Sequence, residues 1–188
     1  MQALIALGGN LNNAGVDAAE TVRLAIRDIY SVGFTVEKVS RLFQTPAFPA
    51  GSGPDYINAA VQLKIEALVP PEAIFSPLAT IELAHGRVRN QRWGGRTLDI
   101  DFLGLDDVIL PNLATFRKWA DLDVTSQAQM TPPNLILPHP RLHERAFVLV
   151  PLMDIAPDWR HPVLGETVRQ MYAKLPQDQI DSVIALAR

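Results

Sequence analysis

"YINAAVQLKIE", residues 56–66, alternates with a period of two: Ile57, Ala59, Val61, Leu63 and Ile65 are apolar. Between them stand Asn58, Ala60, Gln62, Lys64 and Glu66. Successive side chains of a strand point to opposite faces, so this spacing predicts a strand with one buried face and one mostly polar face. Working outward, "QALIAL" (2–7) is a short apolar run closed by Gly8-Gly9-Asn10, a buried strand ending in a turn. From Val16 to Tyr30 the positions Val16, Ala19, Val22, Ile26 and Ile29 keep helical spacing, with Gly33 as the stop. "FTVEKVSRLF" (34–43) is β-branched and aromatic enough for a strand, and "TPAFPAGSGPD" (45–55) is a loop.

Beyond the alternating strand, Pro70-Pro71 starts a helix whose stripe is Ile74, Phe75, Leu78 and Ile81, ending near Gly86 and kinked at Pro77. Residues 96–105 alternate again, with Leu98, Ile100 and Phe102 on one side and Asp99 and Asp101 on the other. Strand, helix, strand, strand, helix, strand is the ferredoxin-like (βαββαβ) order: an α+β fold with an antiparallel sheet, helices on one face and the other face open. Residues 106–134 read as an insertion with a short helix around "LATFRKWADL". The C-terminal extension holds "RAFVLVPLMDIAP" (145–157), a helix at 165–174, and ten last residues ambiguous between strand and helix.

The bulk numbers remove several classes. The 188 residues suit one domain, 1–188, with a real core. A net charge of −3 gives no global attraction for nucleic acid, so any anion must be drawn by a local cluster. Cysteine is absent, which excludes disulfides and thiolate metal sites. There is no basic leader and no run near the roughly 18 apolar residues of a membrane span, so a cytoplasmic protein without a membrane partner is expected.

Local charge is uneven. In "QRWGGRTLDIDF" (91–102), Asp99 and Asp101 share one side of a strand, where two carboxylates can converge on Mg²⁺. A bare pair is better explained by a solvated strand face. The neighbours Arg87, Arg89, Arg92 and Arg96 alter that balance, because guanidinium forks match phosphate oxygens and a magnesium polyphosphate needs both charges side by side. Tyr56 and Asn58 fall on the polar side of their strand, as a ring that stacks and an amide that reads a heterocycle edge, or equally as ordinary edge residues. His139 is held between prolines, and Arg145 and Phe147 follow on one side of the next run. His85, His143 and His161 have no evident partner logic, and no Walker loop, nucleophile elbow or zinc pattern occurs.

"LGGN", "FQTPAF", "PDYINAA", "IELAHGRVRNQRWGGRTLDIDF" and "LPHPRLHERAFVLVPL" occur in that order from residue 4 to about 157. Together they resemble the 6-hydroxymethyl-7,8-dihydropterin pyrophosphokinases of folate biosynthesis. The resemblance implies transfer of pyrophosphate from ATP to the pterin hydroxymethyl group, releasing AMP, with two magnesium ions on Asp99 and Asp101. It implies catalytic roles for Arg87, Arg89, Arg96 and the two aspartates, with Arg89 and Trp93 in a closing loop. Glu82, Arg87, Trp93, Arg96, Phe102, His139 and Arg145 would contact the nucleotide. Gly8, Thr45, Phe48, Tyr56, Asn58 and Phe147 would surround the pterin. The sequence departs from the family at Gly9, where Ser is common, at Gly95, where Pro is common, and at Pro140, where some members carry an aromatic residue. A monomer is expected. The rivals are an RNA-binding sheet of the same architecture and a kinase transferring a single phosphoryl group.

Overall fold

The computed structural model describes residues 1–47, 51, 53–66, 69–86, 95–123, 126 and 130–187. Its elements are β1 (Gln2–Gly9), α1 (Ala18–Ser31), β2 (Thr35–Val39), β3 (Phe43–Thr45), β4 (Tyr56–Lys64), α2 (Pro71–Ala84) and β5 (Asp99–Leu105). They are followed by α3 (Leu113–Ala120), a 3₁₀ turn (Leu142–Glu144), α4 (Ala146–Ile155), α5 (Val168–Tyr172), α6 (Gln177–Asp181) and β6 (Ile184–Ala185). The sheet is antiparallel in every pairing and runs β5-β1-β4-β3-β6, with β2 also on β4. The expected strand over 34–43 is therefore two strands. Between them Ser40 pairs with Ala60 twice, by its backbone N–H to the Ala60 carbonyl (2.9 Å) and by its hydroxyl accepting the Ala60 N–H (2.8 Å).

One face of the sheet follows the alternation. Ile5 and Leu7 of β1, Ala59, Val61 and Leu63 of β4, and Ile100 and Phe102 of β5 form one core with Val22, Ile26 and Ile29 of α1 and Ile74, Leu78 and Ile81 of α2. Asp17 caps α1, its side chain accepting the Glu20 N–H at 2.8 Å, which satisfies a donor the first turn leaves free. Phe75 departs from the expected stripe and is exposed. The α2 helix continues across Pro77, which forfeits one backbone hydrogen bond.

The second face corrects the expectation of helices on one side only. α4 is apolar around most of its circumference, so it needs a partner surface. It finds one in Leu4, Ala60 and Leu103, with α5 supplying Val168 and Met171. Trp159 completes this roof. A Cβ on Gly104 would lie 2.8 Å from its ring, so only glycine allows the indole to rest on β5. As a result Ala60 is buried, and Asn58 and Gln62 on the same side of β4 are buried too, although that side reads as open.

At the base of the stretch expected to be an insertion, Leu110 and Leu137 exchange backbone hydrogen bonds of 2.8 and 3.1 Å. Helix α3 of this stretch inserts Phe116 edge-on to the buried His161. The ambiguous last residues hold both a short helix, α6, and a strand, β6, which pairs with β3. Among the described residues no helix is long and apolar enough to cross a membrane.

Candidate active site

The roof stops short of one end of the second face, where the chain becomes small and polar. Along β1 the residues of that face are Leu4, Ala6 and Gly8, a steady loss of volume. Their partners are Asn58 and Asp99 beside Gly8, and Ala60 and Asp101 beside Ala6. Asp99 and Asp101 thus stand on the same side of β5, flanking a backbone whose Ile100 side chain is buried in the opposite core. Gly8 is required by close approach, because a Cβ there would lie 2.8 Å from the Asn58 side-chain oxygen.

Each carboxylate faces a guanidinium. Arg96 forms an ion pair with Asp99, and Arg145 lies 3.7 Å from Asp101. Arg145 also stacks over the Phe147 ring at 5.6 Å, joining the acidic pair to an exposed aromatic face. Burial lowers the Arg145 guanidinium against the opposing pull of Asp101. Among the described residues the carboxylate donors here are Asp99 and Asp101, an all-oxygen pair. That suits Mg²⁺, which retains several waters and shares its shell with phosphate oxygens.

His139 is tied to β5 by its backbone N–H, which donates to the Leu103 carbonyl at 2.7 Å, and its ring lies within electrostatic reach of Arg145 and Asp99. Burial, with Arg145 and Arg141 nearby, pushes its pKa down to about 3 against the pull of Asp99. The ring is therefore neutral at pH 7. Its Nδ1 accepts the Arg141 backbone N–H at 3.2 Å, which assigns the proton to Nε2 and makes that edge an uncharged donor.

On the other flank, Asn58 donates from its amide to the Thr45 hydroxyl at 2.8 Å, and Thr45 pairs with Tyr56 in the β3–β4 register. Burial raises the Tyr56 phenol above its ordinary value, Arg96 opposes the rise and Asp99 adds to it, so the ring lies within electrostatic reach of the acidic pair. Gly8, Thr45, Tyr56, Asn58, Arg96, Asp99, Asp101, His139, Arg145 and Phe147 are thereby gathered at one end of one face.

Two expected contacts are placed elsewhere. Phe102 is 3% exposed in the core on the opposite side of the sheet. Glu82 is buried in α2, where its carboxylate accepts the Ile100 N–H, satisfying the outer edge of β5. Phe48, Arg87, Arg89, Arg92 and Trp93 lie outside the described residues. One polar residue at the site carries no expectation from sequence: Asn10, buried just past the end of β1, hydrogen-bonds to both Arg96 and Pro54. Its signals are an amide directly after two glycines, which reads as a turn, and its place in the "LGGN" block, which assigns it no role.

Residues 4–157 match the family described as 7,8-dihydro-6-hydroxymethylpterin-pyrophosphokinase. The chain is 37% identical over 170 residues to the 2-amino-4-hydroxy-6-hydroxymethyldihydropteridine pyrophosphokinase of Synechocystis sp., covering 90% of this chain and 73% of that one. It is 34% identical over 183 residues to the protein of the same name from Methylorubrum extorquens, covering 97% and 98%. Among solved structures, a wild-type Plasmodium falciparum HPPK-DHPS chain superposes with a TM-score of 0.60 at 17% identity, over 92% of this chain. This chain spans only 41% of that one, so the likeness concerns the fold of one part.

Proposed function

This chain belongs to the 7,8-dihydro-6-hydroxymethylpterin-pyrophosphokinase family, and from that premise we propose that it transfers pyrophosphate from ATP to the hydroxymethyl group of 6-hydroxymethyl-7,8-dihydropterin in folate biosynthesis. The observation that carries this to particular residues is the pairing of Asp99 and Asp101 on one face, each against a guanidinium, beside the volume left by Ala6 and Gly8. A solvated strand face has no need of that cradle. The strand order, with β5 and β4 flanking β1, supports the ferredoxin-like reading of the fold.

In the reaction the hydroxymethyl oxygen attacks the β-phosphorus of ATP. The new O–P bond forms as the bridging bond to the α-phosphate breaks, AMP leaves, and the hydroxyl proton is released. Asp99 and Asp101 would hold magnesium, which supplies charge neutralisation on the triphosphate when bound. Arg96 and Arg145 would meet phosphate oxygens as planar, charged donors, and the His139 Nε2–H would add a donor without a further charge. Tyr56 and Phe147 offer faces to the pterin ring, and Asn58, held by Thr45, offers its amide to the ring edge. The part of these groups is to bind, orient and stabilise charge, and no covalent intermediate is needed. The same reading covers Arg87, Arg89, Trp93 and Phe48 by motif, and a monomeric, cytoplasmic protein of one domain.

The experiment is product analysis with ATP, magnesium and the reduced hydroxymethylpterin. AMP and the pterin diphosphate are expected in equal amounts. ADP instead would establish single phosphoryl transfer, and salt-sensitive RNA binding with no nucleotide turnover would establish the binding module.

A further inference from the structure

Asn10 is 6% exposed and lies where three segments meet. Its backbone N–H donates to the Arg96 carbonyl at 2.8 Å, and its side-chain oxygen accepts the Arg96 N–H, also at 2.8 Å. The next residue, Leu11, donates to the same Arg96 carbonyl at 3.1 Å. The remaining amide hydrogens point the other way, to the Pro54 carbonyl at 3.0 Å. One buried side chain therefore holds the segment that leads into Asp99 and the segment that leads into Tyr56.

The neighbouring glycines make the approach possible. A Cβ on Gly9 would lie 2.4 Å from the Thr97 carbonyl, and one on Gly95 would lie 2.7 Å from Leu11 and 3.0 Å from the Asn10 oxygen. Gly9 is thus nested against the backbone of Arg96 and Thr97 with no room for a side chain, while Gly95 lies against the side chains of Leu11 and Asn10. The glycine at 9, where Ser is commoner, is what this packing requires. Arg96, so anchored through both its N–H and its C=O, reaches Asp99 with a fixed backbone.

We infer that Asn10 is a positioning residue that sets the separation between the nucleotide-side guanidinium of Arg96 and the pterin-side ring of Tyr56. This rests on the reading of the site given above. Asparagine is the residue the geometry demands, since one short side chain must accept from one strand approach and donate to the other. A buried bond of this kind fixes geometry, and misplacement of reacting groups by about 1 Å can cost a hundredfold in rate.

Two substitutions separate the halves of the clip. Asn10→Ala removes both bonds: kcat should fall about ten- to a hundredfold and KM should rise for both substrates. Asn10→Asp keeps the acceptor for the Arg96 N–H but sets a carboxylate against the Pro54 carbonyl, so pterin KM should rise by about tenfold, with a smaller change for nucleotide. Amide exchange supplies a readout independent of turnover: Arg96 should exchange slowly in the wild type and in Asn10→Asp, and fast in Asn10→Ala. Kinetic constants within twofold of wild type in folded Asn10→Ala would overturn the inference, as would rises in KM that do not divide between the two variants. Should the wild-type chain form no AMP at all, the assignment of the reaction fails, and an unchanged Arg96 exchange rate in Asn10→Ala then overturns the clip on its own.

Discussion

The second face of the sheet has two ends built on the same strands, and they differ in one graded quantity, the size of the side chain. At the roofed end Leu4 and Leu103 meet Val148, Leu149 and Leu152 and the space is filled, with the paired Ala6 and Ala60 at the margin of the same cluster. Two and four residues along β1 from Leu4, at Ala6 and Gly8, the wall recedes and Asp99, Asp101 and Asn58 replace the aliphatics. The roofed end is held by burial. The receding end is held by hydrogen bonds and ion pairs, which leaves its surface available to a charged ligand. A single sheet can thus be core and binding floor at once, the boundary set by where leucine gives way to alanine and glycine.

Substitutions at the two ends should therefore fail in different ways. The largest effect is expected for Asp99→Ala: turnover to AMP should drop by at least about 10²–10³-fold, with the melting temperature nearly unchanged. A comparable loss of stability would show that the acidic end is also structural. Leu103→Ala, at the roofed end, should do the opposite, lowering unfolding free energy by about 2–5 kcal/mol in denaturant titrations while the folded fraction keeps its KM values. Gly8→Ala sharpens the boundary, because its methyl would displace the Asn58 amide; pterin KM should rise by about tenfold, and nucleotide KM should stay within twofold.

The remaining effect is in pH dependence, and it touches both ends. His139, at the receding end, has its pKa lowered to about 3 by burial and the nearby Arg145 and Arg141, and His161, under the roof, to about 4 by burial and by His143. Each is neutral when folded and takes up a proton more readily when unfolded, near pH 6.5. Their contribution to stability is therefore full above about pH 6.5 and is lost as pH falls toward 4 and then 3, about 2 kcal/mol for each group by pH 5. Urea titrations at pH 7 and pH 5 measure the sum. The imidazole NMR signals divide it: nucleotide should shift those of His139 and leave those of His161 in place.

Much of this arrangement was legible in the residues. The period of two in 56–66 and 98–102 identified the first core face, and Asp99 and Asp101 fell on one side as that period requires. The roof was not legible, because α4 is apolar nearly all round and contains Pro151, so it shows no helical stripe. The break at Ser40 was hidden for a related reason: its hydroxyl does the work of a backbone group, and no alternation marks that. At the site, residue types announced the charged and aromatic members. Asn10 stayed silent because its role lies in three segments distant in sequence. Phe102 shows the converse, its position on the core side being readable from the alternation that places Ile100 beside it.

The short strand β6 has a consequence for handling the molecule. By pairing Ile184 and Ala185 with Gln44 and Phe43, and Leu186 with Leu42, it occupies the outer rim of β3. A protein trimmed after Val183 would bare that rim two steps from Asn58, offering an extended template to strangers. Such a protein should precipitate or form higher-order species on concentration.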